Sequence, residues 1–199
     1  MKNLFTLFLV FSIGILSAQE KKSEASKEFQ DNLNKEYADV NESPLTKEDL
    51  AVFKGLDFFP IDEKYIVLAT FIKSKNEKIF QMKTSTTRLP QYKKYGELHF
   101  ELEGKSFVLN VYQNIELIKK KDYEDYLFLP FSDVTNGKES YIGGRYIDMR
   151  IQKENIWTID FNKAYNPYCA YNHNYSCPIV PLENDLEIAI NAGVKKFHE

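Results

Sequence analysis

The sequence lacks the signatures of the common enzyme classes. It has no Gly-x-Ser-x-Gly nucleophile elbow, no glycine-rich phosphate loop and no His-Glu-x-x-His zinc motif. Its three histidines, His99, His173 and His198, are scattered along the chain. The residues therefore indicate no catalytic residue, no cofactor and no resident metal.

The chain also lacks a basic excess and long apolar runs. Its 26 basic and 29 acidic residues give a net charge of −3, and acidic residues follow the short run Lys119–Lys121. Phosphate binding needs a concentrated cationic surface, so nucleic acid is not a predicted partner. After residue 18 no stretch is apolar enough to span a membrane.

The first 18 residues have the composition of a signal peptide. Lys2 supplies a positive charge, an almost uninterrupted apolar run extends from Leu4 to Leu16, and the small residue Ala18 follows. We therefore expect cleavage near Ala18 and export to the periplasm or the extracellular space. An uncleaved N-terminal anchor is the alternative.

Cysteine is scarce, since Cys169 and Cys177 are the only two. Exported proteins meet an oxidising compartment, and the turn formers Pro167, Asn172 and Pro178 lie around the pair, so a disulfide is predicted. The alternative is two buried free thiols that pack as small apolar side chains. A structural zinc site needs four ligands, and too few lie nearby.

A polar helical segment is predicted ahead of the main domain. An apolar residue recurs at every fourth position, which gives a narrow stripe on a helix: Ala25, Phe29, Leu33 and Tyr37. After a break at residues 41–44, Thr46 and Asp49 resemble a capping box for a short helix that ends near Phe53. The predicted organisation is a signal peptide at 1–18, the helical segment at 19–52 and one β-rich domain at 53–199.

From residue 53 onward the hydrophobic period is two, which is typical of strands. The main predicted strands are Tyr65–Ile72, Lys78–Thr84, Leu98–Glu103, Phe107–Val111, Tyr126–Phe131, Arg145–Ile151, Asn155–Phe161 and Leu186–Ile190. Hairpins are predicted at Gly104 and around Lys153-Glu154, and Tyr65–Ile72 is expected to be buried on both faces. Pro130 indicates an edge or a bulge. Eight or nine short strands predict a mainly β fold, an antiparallel barrel or sandwich with a short N-terminal helical segment.

The candidate site begins with Arg145. This residue shares its predicted strand face with Ile147 and Met149, and an arginine on an apolar face needs an anionic or carbonyl partner. Glu139 and Asp160 are the predicted partners. Arg145 is then either half of a structural ion pair or a clamp for a ligand carboxylate or phosphate.

The loop after Asp160 is rich in asparagine and tyrosine, which orient ligands without a fixed charge. The predicted ligand-binding set is Glu139, Tyr141, Arg145, Asp160, Asn162, Tyr165, Asn166, Tyr171 and Asn172. Alternatively, the asparagines satisfy the backbone groups of the loop itself. Oxygen ligands at residues 133–139 do not have the spacing of a calcium loop.

Three functions are compatible with these residues. The preferred one is an exported module that binds a small polar or anionic ligand through Arg145 and the loop. The second is a hydrolase that uses Glu139 and Asp160, with Arg145 stabilising developing charge. The third is a structural or interaction domain of the cell envelope. Nothing indicates the oligomeric state.

Several motifs together resemble one known family. They are FKGLDFFP at residues 53–60, LFLPF at 127–131 with Asp133, Thr135, Gly137 and Glu139, GGRY at 143–146, and DFNKAYNP, CAYN and CP within 160–178. With these motifs, the chain from about Phe53 to Lys195 resembles the domain of unknown function 1684 family in a compact exported form. Longer relatives have an additional N-terminal β-rich region. The resemblance implies a single domain, and it implies no reaction because the family has no assigned activity.

Overall fold

The computed structural model describes residues 23–198. The predicted signal peptide and its cleavage site at Ala18 lie outside the described residues. Within those residues, no helix has the length and apolar character needed to cross a bilayer.

The described chain contains two α-helices followed by a β-rich body. Helix α1 covers residues 23–38 and α2 covers Lys47–Val52. The strands are β1 (Ile66–Lys73), β2 (Phe80–Gln81), β3 (Gln91–Leu102), β4 (Lys105–Asn114), β5 (Tyr126–Asp133), β6 (Arg145–Arg150), β7 (Ile156–Asp160) and β8 (Asp185–Leu186). The prediction of a mainly β fold with an N-terminal helix is confirmed.

The strands form one curled sheet, a half-barrel. Its order is β6-β5-β4-β3-β1-β7, with β2 added to β3 and β8 added to β5. Neighbouring strands are antiparallel except β8, which runs parallel to β5. The alternation of the sequence could not distinguish this arrangement from a sandwich, because both bury every second side chain.

The concave face of the sheet holds the main core. Its fully buried side chains include Leu98, Leu109, Leu127, Leu129, Trp157 and Ile159. The predicted β3–β4 hairpin is confirmed, and Glu103 and Gly104 turn it with φ of 51° and 75°. Such positive φ values suit a tight hairpin turn between twisted strands.

Two predictions about strand placement are wrong. β6 and β7 do not form a hairpin around Lys153-Glu154, because β6 pairs with β5 and β7 pairs with β1 at opposite ends of the sheet. β1 is not buried on both faces, since Leu68 is 62% exposed. The predicted strand at Leu186–Ile190 shortens to β8.

Pro130 marks an irregularity inside the sheet, as a bulge would. Pro130 has no N–H to donate, and β4 and β5 pair in register only at Tyr112 and Phe128. The fully buried Asn184 bridges the two strands instead. Its Nδ2 donates to the carbonyl of Asn110 at 2.9 Å and to that of Pro130 at 2.6 Å.

Within residues 23–198, a single β-bridge joins the two ends of the sheet. The N–H groups of Tyr146 on β6 and of Tyr165, just after β7, each donate to the other residue's carbonyl, at 2.9 and 3.0 Å. Beyond this junction β6 and β7 diverge, and we call the gap between them the seam.

Helix α1 packs beside the seam. Its buried side chains are Ser26, Gln30, Leu33 and Tyr37, whereas Ala25 is exposed. The predicted stripe at every fourth residue thus shifts to the 3.6-residue period of an α-helix. The polar contacts that fix the helix include two near the seam: Ser26 Oγ donates to Asp160 Oδ2 at 2.7 Å, and Gln30 Nε2 donates to the Asn162 carbonyl at 3.0 Å.

Candidate functional site

Arg145 is fully buried and has a partner that the sequence did not indicate. Its Nη2 lies 2.7 Å from Asp133 Oδ2, so the predicted partners Glu139 and Asp160 are wrong. The guanidinium also donates to the carbonyls of Ile190 and Ala192. These contacts tie β5 and β6 to the C-terminal segment and leave no part of Arg145 exposed to a ligand.

The asparagines of the loop mainly satisfy backbone groups. Asn162 Oδ1 accepts from Asp62 N–H at 3.0 Å, and Asn166 Nδ2 donates to the Lys195 carbonyl at 2.8 Å. Both residues are fully buried. Asn172 Oδ1 accepts from Asn174 N–H within its own turn. This is the alternative account given by the sequence, in which asparagine stabilises an irregular loop.

The structure does not bring Glu139 and Asp160 into one site. Glu139 is exposed, and its carbonyl accepts from Lys196 N–H. Asp160 instead contacts Ser26 on α1 and lies 3.9 Å from Lys163 Nζ. In the part of the chain that the structure describes, no three His, Cys, Asp or Glu side chains are grouped so that they could hold a metal ion.

The geometry instead points to a cavity on the outer face of β5 and β6. Its volume is about 340 Å³, and we call it the tyrosine cavity. Helix α1, the sheet and the loop after β7 enclose it. The lining residues are Phe29, Leu33, Glu36, Tyr92, Leu117, Tyr126, Phe128, Tyr146, Asp148, Tyr165, Pro167, Tyr168, Ser176, Cys177 and Pro178. Tyr165 is the one member of the predicted ligand-binding set among them.

Alternation along β5 and β6 places these side chains in the cavity. Leu127 and Leu129 point into the core, so Tyr126 and Phe128 point outward. On β6 the core-facing Ile147 alternates with Tyr146 and Asp148. The sequence signal that could have predicted this cavity is the aromatic residues on the outward face of both strands. Such residues need a second layer of protein to cover them.

Asp148 is the polar centre of the tyrosine cavity. Its Oδ1 accepts from the hydroxyls of Tyr126 and Tyr165, each at 2.7 Å. Within residues 23–198, no hydrogen bond reaches Oδ2 and no ion pair involves Asp148. The nearby cations have other partners, since Arg150 pairs with Asp125 at 2.7 Å and Lys163 lies near Asp160.

The Asp148 side chain is exposed to water, although protein atoms pack closely around it. It also lines a second cavity, of about 270 Å³, that opens along the seam. Burial raises the pKa of Asp148, and the hydrogen bonds from Tyr126 and Tyr165 and the charge of Arg150 offset this only in part. Burial likewise raises the pKa of both tyrosines, so they remain protonated donors.

The two cysteines are buried free thiols in this structure. They lie close together, with Cys169 N–H donating to Cys177 Sγ at 3.2 Å. A hydrogen bond from Cys177 lowers the pKa of Cys169 to about 6, and the same interaction raises the pKa of Cys177. Tyr141, from the predicted set, has its hydroxyl 3.9 Å from Cys169 Sγ. The predicted disulfide is therefore not formed here, although its two residues are adjacent.

Fold and site together define a β half-barrel protein with an aromatic cavity beside its seam. The family model for the proteins of unknown function DUF1684 matches residues 51–195, and the chain belongs to this family. A solution NMR structure of an uncharacterised protein from Haloarcula marismortui is similar to it. The two are 32% identical, with a TM-score of 0.71, over 90% of this chain and 96% of the other. No curated protein matches the sequence.

The buried pair of Arg145 and Asp133 predicts a large loss of stability on substitution. Arg145→Ala leaves the Asp133 carboxylate buried without its cation, and we expect the free energy of unfolding to fall by about 3–5 kcal/mol. Arg150→Ala on the same strand removes an exposed pair and should cost less than about 1 kcal/mol. Urea unfolding measures both, and equal losses would contradict the structural role.

The raised pKa of Asp148 predicts a gain of stability on neutralisation. The folded chain holds this proton more tightly than the unfolded chain, so stability falls as the pH rises through that interval. We expect Asp148→Asn to be more stable than the parent at about pH 8, with the difference shrinking towards about pH 4.

Urea unfolding at both pH values measures this difference. Asp125→Asn, which removes only an exposed partner of Arg150, is the control and should show no gain at the higher pH. A marked loss of stability in Asp148→Asn at about pH 8 would show that the carboxylate serves the fold.

Proposed function

We propose that this protein is a binding module whose site is the tyrosine cavity. The observation that carries the proposal is an aromatic cavity of about 340 Å³ whose wall holds two carboxylates, Asp148 and Glu36, and no cationic side chain. Ligand sites in proteins have this size, and they combine apolar walls with a few placed polar groups. The ligand is a small molecule with an apolar body.

The lining charges argue against the anionic ligand that we first expected. Asp148 and Glu36 are the charged residues of the cavity wall, and none of its lining residues is a lysine, arginine or histidine. Arg145, the predicted anion clamp, is occupied by Asp133. An anion entering the cavity would meet like charge at Asp148 and Glu36 and no cationic side chain of the lining. We therefore propose a binding module whose ligand is not an anion.

A cavity-blocking substitution tests this site. Leu117 lines the tyrosine cavity from a short turn, Leu117–Lys119, and is only partly buried. We expect Leu117→Trp to fill the cavity. Compounds that bind the parent, found by ligand-observed NMR on a fragment library of neutral, cationic and anionic members, should then lose binding.

The matched control is Ile118→Trp, in the same turn but outside the cavity lining. It should bind the same fragments as the parent. The proposal fails if no fragment distinguishes Leu117→Trp from the parent, because binding elsewhere on the surface would survive that substitution.

We further propose that the protein is exported and that Cys169 and Cys177 then form a disulfide. The N-terminal sequence supports export, and the adjacency of the cysteines supports pairing. The lowered pKa of Cys169 favours the thiolate, which is the form that attacks during disulfide formation.

Reduction of the exported protein tests the disulfide. We expect it to lower the free energy of unfolding by about 2–3 kcal/mol, because the bond closes a short loop in the unfolded chain. A Cys169→Ser, Cys177→Ser double variant should not respond to reductant. Two thiols that label with iodoacetamide in unreduced, denatured protein would contradict the bond, and mass spectrometry of the N-terminus tests cleavage near Ala18.

A further inference from the structure

We propose that the ligand of the tyrosine cavity is an organic cation with a methylated ammonium group, for which Asp148 is the counter-ion. This inference rests on the proposed function, because it assumes that the cavity binds a small molecule. It adds the chemical class of that molecule.

The first support is unbalanced charge. Asp148 and Glu36 both line the cavity, and no cationic side chain does. Glu36 Oε1 accepts from the Tyr168 hydroxyl at 2.8 Å, and no described hydrogen bond reaches Glu36 Oε2. Asp148 has both tyrosine donors on Oδ1, so Oδ2 remains for a ligand. A bound cation would supply the direct ion pair that no described residue makes with Asp148.

The second support is the arrangement of the aromatic rings. Phe128 and Tyr146 have ring centroids 4.7 Å apart at an interplanar angle of 74°, and Tyr146 and Tyr165 are 5.9 Å apart at 89°. Rings at such steep angles form walls that face in several directions, unlike a flat stack. An ammonium group over an aromatic face is attracted by the electrons of the ring, and cages of this kind bind quaternary ammonium ligands.

The scarcity of acceptors favours a methylated over a primary ammonium group. A primary ammonium has three N–H donors, and each one needs an acceptor after leaving water. The wall offers acceptor oxygens at Asp148, Glu36 and Ser176, but much of the rest is aromatic rings, Leu33, Pro167 and Pro178. Methyl groups spread the charge and pack against such a wall without further acceptors.

Three probes test the inference by calorimetric titration. They are choline, its neutral isostere with tert-butyl in place of trimethylammonium, and ethanolamine. We expect the parent to bind choline at least about tenfold more tightly than either of the others. In Asp148→Asn the ratio of choline to isostere affinity should fall towards one, whereas Asp125→Asn should keep the parental ratio.

The outcomes separate this inference from the proposed function. If the isostere binds with the same affinity as choline and neither binds Leu117→Trp, the cavity binds ligands but the inference of a cationic ligand is wrong. If ethanolamine equals choline, the preference for methylation is wrong. A further outcome is that choline does not bind the parent, while neutral fragments bind it and lose binding in Leu117→Trp. In that case only the inference of a cationic ligand is wrong. Failure of all probes and fragments removes both proposals.

Discussion

Two main-chain hydrogen bonds between Tyr146 and Tyr165 join the ends of the sheet, and the site depends on the shortness of that junction. Had β6 and β7 paired along their length, the sheet would have closed into a barrel with no gap. In the open sheet, the outer face of β5 and β6 carries aromatic side chains whose exposure to water is unfavourable. Helix α1 and the loop after β7 cover them, and the space that this cover leaves unfilled is the tyrosine cavity.

Local signals predicted the elements, and non-local contacts decided how they pair. The β3–β4 hairpin could be predicted because its turn at Gly104 and the alternation on both sides agree. The turn signal at Lys153-Glu154 was equally local, yet β6 and β7 each pair with a strand far away in sequence. The packing of core-facing side chains such as Ile147 and Ile159 determines which strands pair. This packing involves residues far apart in sequence, so no short window of sequence predicts it.

The sequence predicted a site on β6 and the loop after β7, where the tyrosine cavity lies, but it centred that site on Arg145 and not on Asp148. Arg145 attracts attention because an arginine on an apolar face needs a partner, and it has one in Asp133 with the carbonyls of Ile190 and Ala192. Those carbonyls carry no side-chain signature, so the sequence could not indicate them. Asp148 was not among the predicted residues, and alternation along β6 places it on the outward face, where it is exposed. The second layer that covers this face comes from α1, more than a hundred residues earlier.

Arg145 and Asp148 lie on the same strand, but Arg145 is fully buried in the core whereas Asp148 is exposed on the outer face. The guanidinium meets a carboxylate and two carbonyls, so the fold itself accounts for it. The carboxylate meets two hydroxyls on one oxygen, and burial still raises its pKa. An asparagine would accept the same two hydrogen bonds without a charge to desolvate. These two hydrogen bonds therefore do not require the negative charge of Asp148, and the cation proposed above would use that charge.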